Sequence, residues 1–329
     1  MSRSRLVNLS IDLDGLGCYH EIHGLPEPAD PTAIYRVALP RFRAFCRELG
    51  ARATLFVIAS DLDHPEVVDA LREAVDEGHE VASHTMRHPY NLREWSERSV
   101  AAEIIAAEDA IEAAVGTRPV GFRTPGYNVD TRILRILAER GYRYDSSVFP
   151  CPPYYLAKGA VMAVMAAVGR PSGSSMTHPA ALRAPLQPYR PSRYDFSRPG
   201  DRKHSLPLWE IPVGVTPWTR VPVIGTSIGG LPPVGARALG RSFKAGQRTL
   251  QVEFHGVDFM DRNDSGVLPS LAARQPDLRR AWTKKRDSYL AFFDVVARGA
   301  SMITLAELAD RLDAEAGPTV VSGRSARNG

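Results

Sequence analysis

The amino-acid sequence predicts an α/β fold built on a parallel β-sheet, either open or closed into a barrel. Short apolar segments alternate with segments whose apolar residues recur at helical spacing, and most of the helical segments end at a glycine. Strands that alternate with helices are joined by right-handed crossovers and are therefore parallel. The chain of 329 residues is 44% hydrophobic and 24% charged, which is typical of a soluble globular protein with a large core.

The predicted elements form two groups separated by an irregular region. In the first group, the predicted strands are residues 6–11, 53–58, 80–83, 120–123 and 144–147, and the predicted helices are residues 38–49, 65–77, 96–115 and 130–140. In the second group, the predicted strands are residues 208–213, 251–255 and around 302–304, and the predicted helices are residues 281–298 and 306–312. A glycine-rich run that begins at Gly225 lacks the Lys-Ser/Thr of a phosphate-binding loop, and we predict a flexible loop there.

This order predicts a single domain over residues 1–312, with an irregular insertion at 151–207 and a disordered tail at 313–329. Residues 151–250 contain 13 lysines and arginines against three acidic residues, and 14 of the 26 prolines. The net charge of the whole chain is only +4, so the flanking regions are acidic. A basic middle region favours an anionic partner, although a solvated loop region would explain it equally well. The acidic remainder and the lack of a binding motif argue against nucleic acid.

The insertion contains an apolar segment at 154–169 that has a single lysine. It is shorter than the ~20 residues that cross a bilayer, so we expect either a buried helix or a helix at the membrane interface. Arginines interleaved with aromatic residues follow it. Arginine suits phosphate oxygens and aromatic rings stack on sugars, so a lipid-linked sugar is the preferred substrate, with peripheral membrane contact through 154–203.

The cysteines and the first residues indicate the cellular compartment in which the protein is expected. The three cysteines, Cys18, Cys46 and Cys151, are widely spaced and match neither a disulfide framework nor a cysteine-rich zinc site. The short apolar stretch near the start runs into an acidic motif, which indicates a strand and not a signal peptide. We therefore expect a cytoplasmic protein, in contact with the inner face of the membrane if the apolar segment is interfacial.

Residues suited to chemistry follow the predicted strands, and parallel sheets collect such residues at the carboxyl ends of their strands. Asp12 and Asp14 follow the first strand, and alternate residues of a strand point the same way. His84 and His88 follow the third strand at the i, i+4 spacing that puts two imidazoles on one face of a helical turn. Each pair is a weak signal alone, and their common position at strand ends predicts a metal site.

Two further strand ends add to this pattern. The fourth predicted strand ends in Arg123, which is followed by Thr-Pro and then Gly126 and Tyr127. A late strand ends in His255, which is followed by a glycine. Read singly, Arg123 is compatible with a structural ion pair and His255 with a core histidine, and the aspartates with turn caps. The serines at 146 and 147 have no histidine at a fixed spacing, which argues against a serine hydrolase.

Four motifs carry a resemblance to a known family. They read IDLDG, SHTMRHP, FRTPGY and VEFHG, and together they resemble the NodB-type polysaccharide deacetylases, carbohydrate esterase family 4. The resemblance covers roughly residues 5–150 and 208–312. The DxD spacing resembles the branch that includes lipid-linked sugar deformylases and allantoinase-like enzymes. The resemblance implies a distorted barrel of about seven β/α units.

The resemblance also implies roles for the motif residues. Asp14, His84 and His88 would hold one divalent ion; zinc is expected, and Co²⁺, Ni²⁺ or Mn²⁺ would also suit this ligand set. Asp12 would be the general base that takes a proton from a water activated by the metal, and Arg123 would pair with it.

The remaining roles concern the oxyanion and the leaving group. A backbone N–H near Gly126 or Tyr127 would stabilise the tetrahedral oxyanion, and His255 would be the general acid that protonates the leaving amine. Asp145, at another strand end, would orient His255. The implied activity is hydrolysis of an N-acetyl or N-formyl group on an amino sugar, on a polysaccharide or on a lipid carrier. The alternatives are a hydrolase of a small ureide or cyclic amide, and a non-catalytic module that binds carbohydrate or membrane surfaces.

Overall fold

A parallel β-sheet organises the protein. The computed structural model describes residues 4–167, 169 and 176–316, and within them the sheet has eight strands. The strands are β1 (Arg5–Asp12), β2 (Thr54–Val57), β3 (Glu80–Ser83), β4 (Gly121–Phe122), β5 (Tyr144–Asp145), β6 (Trp209–Glu210), β7 (Thr249–His255) and β8 (Ala300–Met302). All the strand pairings are parallel, which confirms the predicted strand–helix alternation.

The sheet curls into the distorted barrel that the resemblance implied. The strand order is β6-β5-β4-β3-β2-β1-β7, and β8 pairs with the first half of β1 while β2 pairs with its second half. Between β6 and β7, the irregular segment 211–224 takes the place of a regular strand. Its Gly214 N–H donates to the Gln251 side chain at 3.2 Å, and Ile224 forms a parallel bridge with Glu253.

The helices surround this sheet. They are α1 (Leu16–Ile22), α2 (Leu39–Leu49), α3 (Pro65–Asp76), α4 (Glu97–Val115), α5 (Thr131–Glu139), α6 (Pro152–Ala167), α7 (Gly225–Gly230), α8 (Pro233–Lys244), α9 (Pro269–Ala272), α10 (Trp282–Val296) and α11 (Leu305–Ala316). Helices α2 and α4 end at Gly50 and Gly116, as predicted, and the φ angles of these glycines, 61° and 74°, are left-handed. None of the described helices is long and apolar enough to cross a membrane.

The alternation of side chains along the central strands makes the barrel interior polar. In β1, Val7, Leu9 and Ile11 belong to the apolar core, where α2 also buries its side chains. The residues between them point the other way and bond to polar partners; Asn8, for example, donates to the Ile303 carbonyl oxygen at 2.8 Å. The side chains of β7 alternate in the same way, so polar residues lie at the carboxyl ends of both β1 and β7.

The glycine-rich run, predicted to be a flexible loop, is instead helix α7. Its glycines are needed for close packing: a Cβ on Gly225 would lie 2.1 Å from Asp258 Oδ2, and one on Gly229 would lie 2.6 Å from the Tyr289 hydroxyl. The run therefore packs α7 against the segment after β7 and against α10. Helix α8, which follows it, was not predicted.

The end of the chain also differs from the prediction. Helix α11 continues to Ala316, so residues 313–316 are ordered and do not begin a tail. Asp313 accepts hydrogen bonds from Arg190 and from the Trp209 indole, both at 2.7 Å, which fixes this end of the helix to the insertion. Residues 317–329 of the predicted tail lie outside the described residues. The apolar segment of the insertion forms α6, as a helix was expected there.

Candidate active site

The carboxyl ends of β1, β3, β4 and β7 converge on a cavity of about 430 Å³. Asp12, Asp14, His84 and His255 all line it, together with Gly126 and Tyr127. Sequence reasoning placed these residues at separate strand ends, and the parallel sheet brings them to one edge.

A candidate metal centre lies at the floor of the cavity. The Oδ1 atom of Asp14 is 3.3 Å from His84 Nε2 and 3.4 Å from His88 Nε2, and the three residues are buried. No described residue donates a hydrogen bond to this Oδ1. Burial opposes ionisation of Asp14, but the two imidazoles outweigh it and hold the pKa of this carboxyl well below its usual range. A buried carboxylate oxygen without a donor, between two imidazole nitrogens, fits a divalent ion with open positions.

The two histidines reach this position in different ways. His84 follows β3 directly, and its Nδ1–H is placed to donate to the Arg123 carbonyl oxygen at 2.8 Å, which leaves Nε2 for a metal. His88 does not lie on a helical turn as predicted. The chain between them has left-handed residues at Thr85 (φ 70°) and His88 (φ 57°), and the His88 N–H donates to the Thr85 hydroxyl at 2.9 Å. The pair therefore converges through a strained loop.

Arg123 and Asp12 form a buried ion pair beside the metal centre. Arg123 is fully buried, and its Nη1 lies 2.5 Å from Asp12 Oδ1. Its other donors bond to Ser10 Oγ at 3.1 Å and to the Ser146 carbonyl oxygen at 2.8 Å. The second oxygen of Asp12 lies 3.9 Å from His84 Nε2, on the side of the metal centre. Asp12 is thus held in one orientation with one oxygen free of Arg123.

Glu253 is a member of this site that the sequence reasoning missed. It is fully buried in β7, 3.6 Å from Arg123 Nη1, and it accepts a hydrogen bond of 2.8 Å from the Tyr127 hydroxyl. Burial, with the nearby Asp12 charge, raises its pKa to about 8. The available signal was its position two residues before His255, on the same face of a strand.

The surroundings of His255 correct one prediction. Burial opposes its protonation, but the charge of Glu253, whose Oε1 lies 4.0 Å from His255 Nε2, outweighs burial and raises the pKa of His255 to about 9. The backbone N–H of His255 donates to Asp258 Oδ2 at 2.8 Å. Asp145, predicted to orient His255, instead accepts from the backbone and hydroxyl of Ser147 at 3.0 and 2.7 Å. No described hydrogen bond joins Asp145 to His255, and the Asp145 carboxylate is occupied by Ser147 instead.

The predicted oxyanion donors lie in a strained turn. Gly126 and Tyr127 both have left-handed φ angles, 62° and 60°. Gly126 approaches Tyr90 closely, since a Cβ there would lie 3.2 Å from the Tyr90 ring. The Tyr127 N–H already donates to the Thr124 carbonyl oxygen at 3.2 Å, which makes it a poor oxyanion donor. The Thr124 N–H donates to Ser147 Oγ at 2.8 Å, so Asp145 supports this turn through Ser147.

Among its described residues, the insertion contributes to the cavity only those of α6. The described residues 176–207 do not line it, so the arginines expected to bind a substrate phosphate lie elsewhere. Two of those arginines have acidic partners: Arg190 bonds to Asp313, and Arg198 lies 3.2 Å from Asp195. Arg190 also stacks on the Trp209 ring at 5.0 Å. These two arginines of the basic insertion therefore have structural partners within the protein.

Part of the chain matches a known protein family in sequence. Residues 33–144 match the family described as polysaccharide deacetylase. The matched segment contains His84, His88 and Arg123. The aspartates after β1 and the histidine after β7 lie outside it.

Two fungal proteins show local sequence similarity. Chitin deacetylase 2 of Cryptococcus neoformans var. grubii is 41% identical over 93 residues, which are 28% of this chain and 19% of that protein. The chitin deacetylase of Amylomyces rouxii is 34% identical over 101 residues, which are 30% of this chain and 23% of that protein. The similarity therefore spans about a fifth of the length of these relatives.

Two solved structures share the fold. A protein of Mycobacterium smegmatis described as a polysaccharide deacetylase has a TM-score of 0.59 at 17% identity, over 98% of this chain and 96% of that one. A protein of Parabacteroides distasonis described as a glycoside hydrolase/deacetylase has a TM-score of 0.61 at 14% identity, over 93% and 70%. The fold is thus that of the deacetylase-type distorted barrels. Residues 33–144 therefore resemble the polysaccharide deacetylase family in sequence, and the chain as a whole shares the fold of these two proteins.

Proposed function

We propose that this protein is a metal-dependent hydrolase that removes an N-acetyl or N-formyl group from an amino sugar. One observation carries the proposal: the buried, unbonded Oδ1 of Asp14 lies between His84 and His88, within the same cavity as Asp12 and His255. A ureide hydrolase of the kind that lacks metal ligands would not need this triad. The activity for which the fungal relatives are named, chitin deacetylation, is of the same class.

The reaction divides between the two sides of the cavity. A divalent ion held by Asp14, His84 and His88 would lower the pKa of a bound water and polarise the acyl carbonyl. Asp12, held by Arg123 at 2.5 Å, accepts the proton of the attacking water on its free oxygen. Arg123 orients this carboxylate, because it is itself fully buried and fixed by three other acceptors.

His255 protonates the leaving amine. Its pKa of about 9 keeps it in the protonated, donating form at neutral pH. Its side chain is 23% exposed, so it can reach a bound substrate. The nearby carboxyl groups of Glu253, Asp14 and Asp12 raise the pKa of His255 against the opposing effect of burial.

The proposal is tested by amine release from N-acetylglucosamine oligomers and from N-formyl analogues. We expect hydrolysis that stops after chelation and returns with Zn²⁺ or Co²⁺, and loss of turnover in Asp12→Asn. An Asp310→Asn variant is the matched control, because Asp310 is a surface residue that pairs with Arg143. Turnover by Asp12→Asn at the wild-type rate would refute the role of the base.

The substrate is further proposed to carry a lipid group that lies along α6. This helix lines the cavity with Val161, Met162 and Met165, and it exposes Leu156 (75%) and Val164 (65%) to solvent. An apolar cavity wall that continues into an exposed apolar face suits a lipid chain and contact with a membrane surface.

Vesicle sedimentation tests this lipid proposal. Vesicles of phosphatidylglycerol and phosphatidylethanolamine should retain the protein, and a Leu156→Glu/Val164→Glu variant should lose most of the binding. A Val234→Glu variant is the control, because Val234 is 72% exposed on α8, away from the cavity wall. Equal loss in the control, or no binding by the wild type, would overturn the membrane contact.

A further inference from the structure

Lys158 stands out on the cavity wall formed by α6. The helix residues that line the cavity are Tyr154, Ala157, Lys158, Val161, Met162 and Met165. Their spacing of three and four residues puts them on one face of the helix. Among the described lining residues Lys158 is the one lysine, and no arginine accompanies it. Its ammonium group is therefore the sole fixed cation at this wall of the described cavity.

This cation has no partner among the residues that the structure describes. No ion pair or hydrogen bond joins the Lys158 ammonium to another described residue, and burial among apolar side chains lowers its pKa to about 8. Lys285, a lysine that is buried outright, is held differently. Lys285 donates to the carbonyl oxygens of Val257, Met260 and Asp277 at 2.9, 2.6 and 3.0 Å.

An unpaired ammonium on an apolar wall costs free energy, because burial removes water without supplying a compensating charge. A lysine on a helix surface ordinarily extends its amine into solvent. Lys158 is instead partly buried on the stripe that faces the cavity. An anionic group of a ligand at this wall would offset the cost of burying Lys158. The acidic side chains of the lining, such as Asp277, would not attract such a group.

We propose that Lys158 is a specificity-determining residue that binds an anionic group of the substrate, a phosphate or a carboxylate attached to the N-acyl amino sugar. The inference rests on the proposed function for the identity of the sugar. Two charged features then orient the substrate in the cavity: the acyl group goes to the metal centre at the strand ends, and the anion goes to α6. Neutral sugars lack the second contact and should bind more weakly.

Binding measurements test this without requiring turnover. The probes are N-acetylglucosamine, N-acetylglucosamine 1-phosphate and N-acetylmuramic acid, which are neutral, phosphorylated and carboxylated. Each is titrated calorimetrically into zinc-loaded Asp12→Asn protein with Lys158 intact, changed to Met, or changed to Arg. A Lys203→Met variant is the control, because Lys203 is an exposed lysine of the same insertion that does not line the cavity.

We expect Lys158→Met to weaken binding of at least one anionic probe about tenfold or more, with binding of the neutral sugar changed by less than about threefold. Lys158→Arg and Lys203→Met should retain the preference for the anion. The two anionic arms decide between phosphate and carboxylate. Equal affinity of intact Lys158 protein for the three probes, or a preference that survives Lys158→Met, would overturn the inference.

Failure of this inference and failure of the proposed function give different results. If the wild-type protein hydrolyses the neutral sugar and Lys158→Met leaves the anion preference unchanged, the hydrolase proposal stands and the role of Lys158 is wrong. If no probe is hydrolysed but the anion preference is present and depends on Lys158, the anion site stands and the hydrolase proposal fails.

Discussion

Removing the guanidinium of Arg123 should destabilise the protein strongly. Arg123 is fully buried, and its side chain bonds to Asp12, Ser10 and Ser146 within 3.1 Å. An Arg123→Met variant keeps much of the volume but leaves the Asp12 carboxylate buried without its cation. Breaking a buried ion pair by removing one partner costs about 3–5 kcal/mol, and we expect a loss of that size in the free energy of unfolding.

Urea unfolding at neutral pH, followed by circular dichroism, measures this loss. Arg135→Met is the matched control, because Arg135 is exposed on α5, and it should change the free energy of unfolding by no more than about 0.5 kcal/mol. A double variant Arg123→Met/Asp12→Asn should recover part of the loss, since it removes the uncompensated charge. A loss below about 1 kcal/mol in Arg123→Met would refute the buried ion pair as described.

Two further predictions concern pH and packing. The proposed function requires His255 in its protonated form, and its pKa is about 9, so kcat should fall as the pH rises through that value. Glu253→Gln should move this fall to lower pH, because it removes the interaction that raises the pKa of His255 most. A pH–rate profile of Glu253→Gln that matches the wild type would contradict the coupling. Gly225→Ala should cost about 1–3 kcal/mol of stability, because the added Cβ would lie 2.1 Å from Asp258 Oδ2. Gly230→Ala, in the same helix with open space around the position, should be neutral or slightly stabilising by thermal unfolding; equal effects would refute the packing argument.

The strand ends were predictable because each follows a short buried apolar run. Asp12 and Asp14 follow β1, and His84 follows β3, so a parallel sheet was enough to bring them together. The loop that carries His88 was not predictable. Its left-handed residues at 85 and 88 are not glycines, and only the contacts around them show that strain.

The partners of the site residues were harder to infer. Glu253 was overlooked because a buried glutamate is recognised by its partners, Arg123 and Tyr127, which come from other strands. Asp145 does end a strand, but it was given the wrong partner, since sequence spacing does not show which strand ends lie close together. Helix α7 was missed because glycine lowers helix propensity. Its glycines are nevertheless required, because the helix packs closely against Asp258 and Tyr289.

The metal centre is the central claim, and metal content measured together with activity tests it most directly. The protein is stripped with a chelator, titrated with Zn²⁺, and assayed for metal by mass spectrometry and for amine release from an N-acyl amino sugar. We expect one ion per chain, activity that rises with occupancy, and loss of both in Asp14→Asn, whose Oδ1 lies between the two imidazoles. Hydrolysis at an unchanged rate by metal-free protein, or full metal binding by Asp14→Asn, would contradict the account.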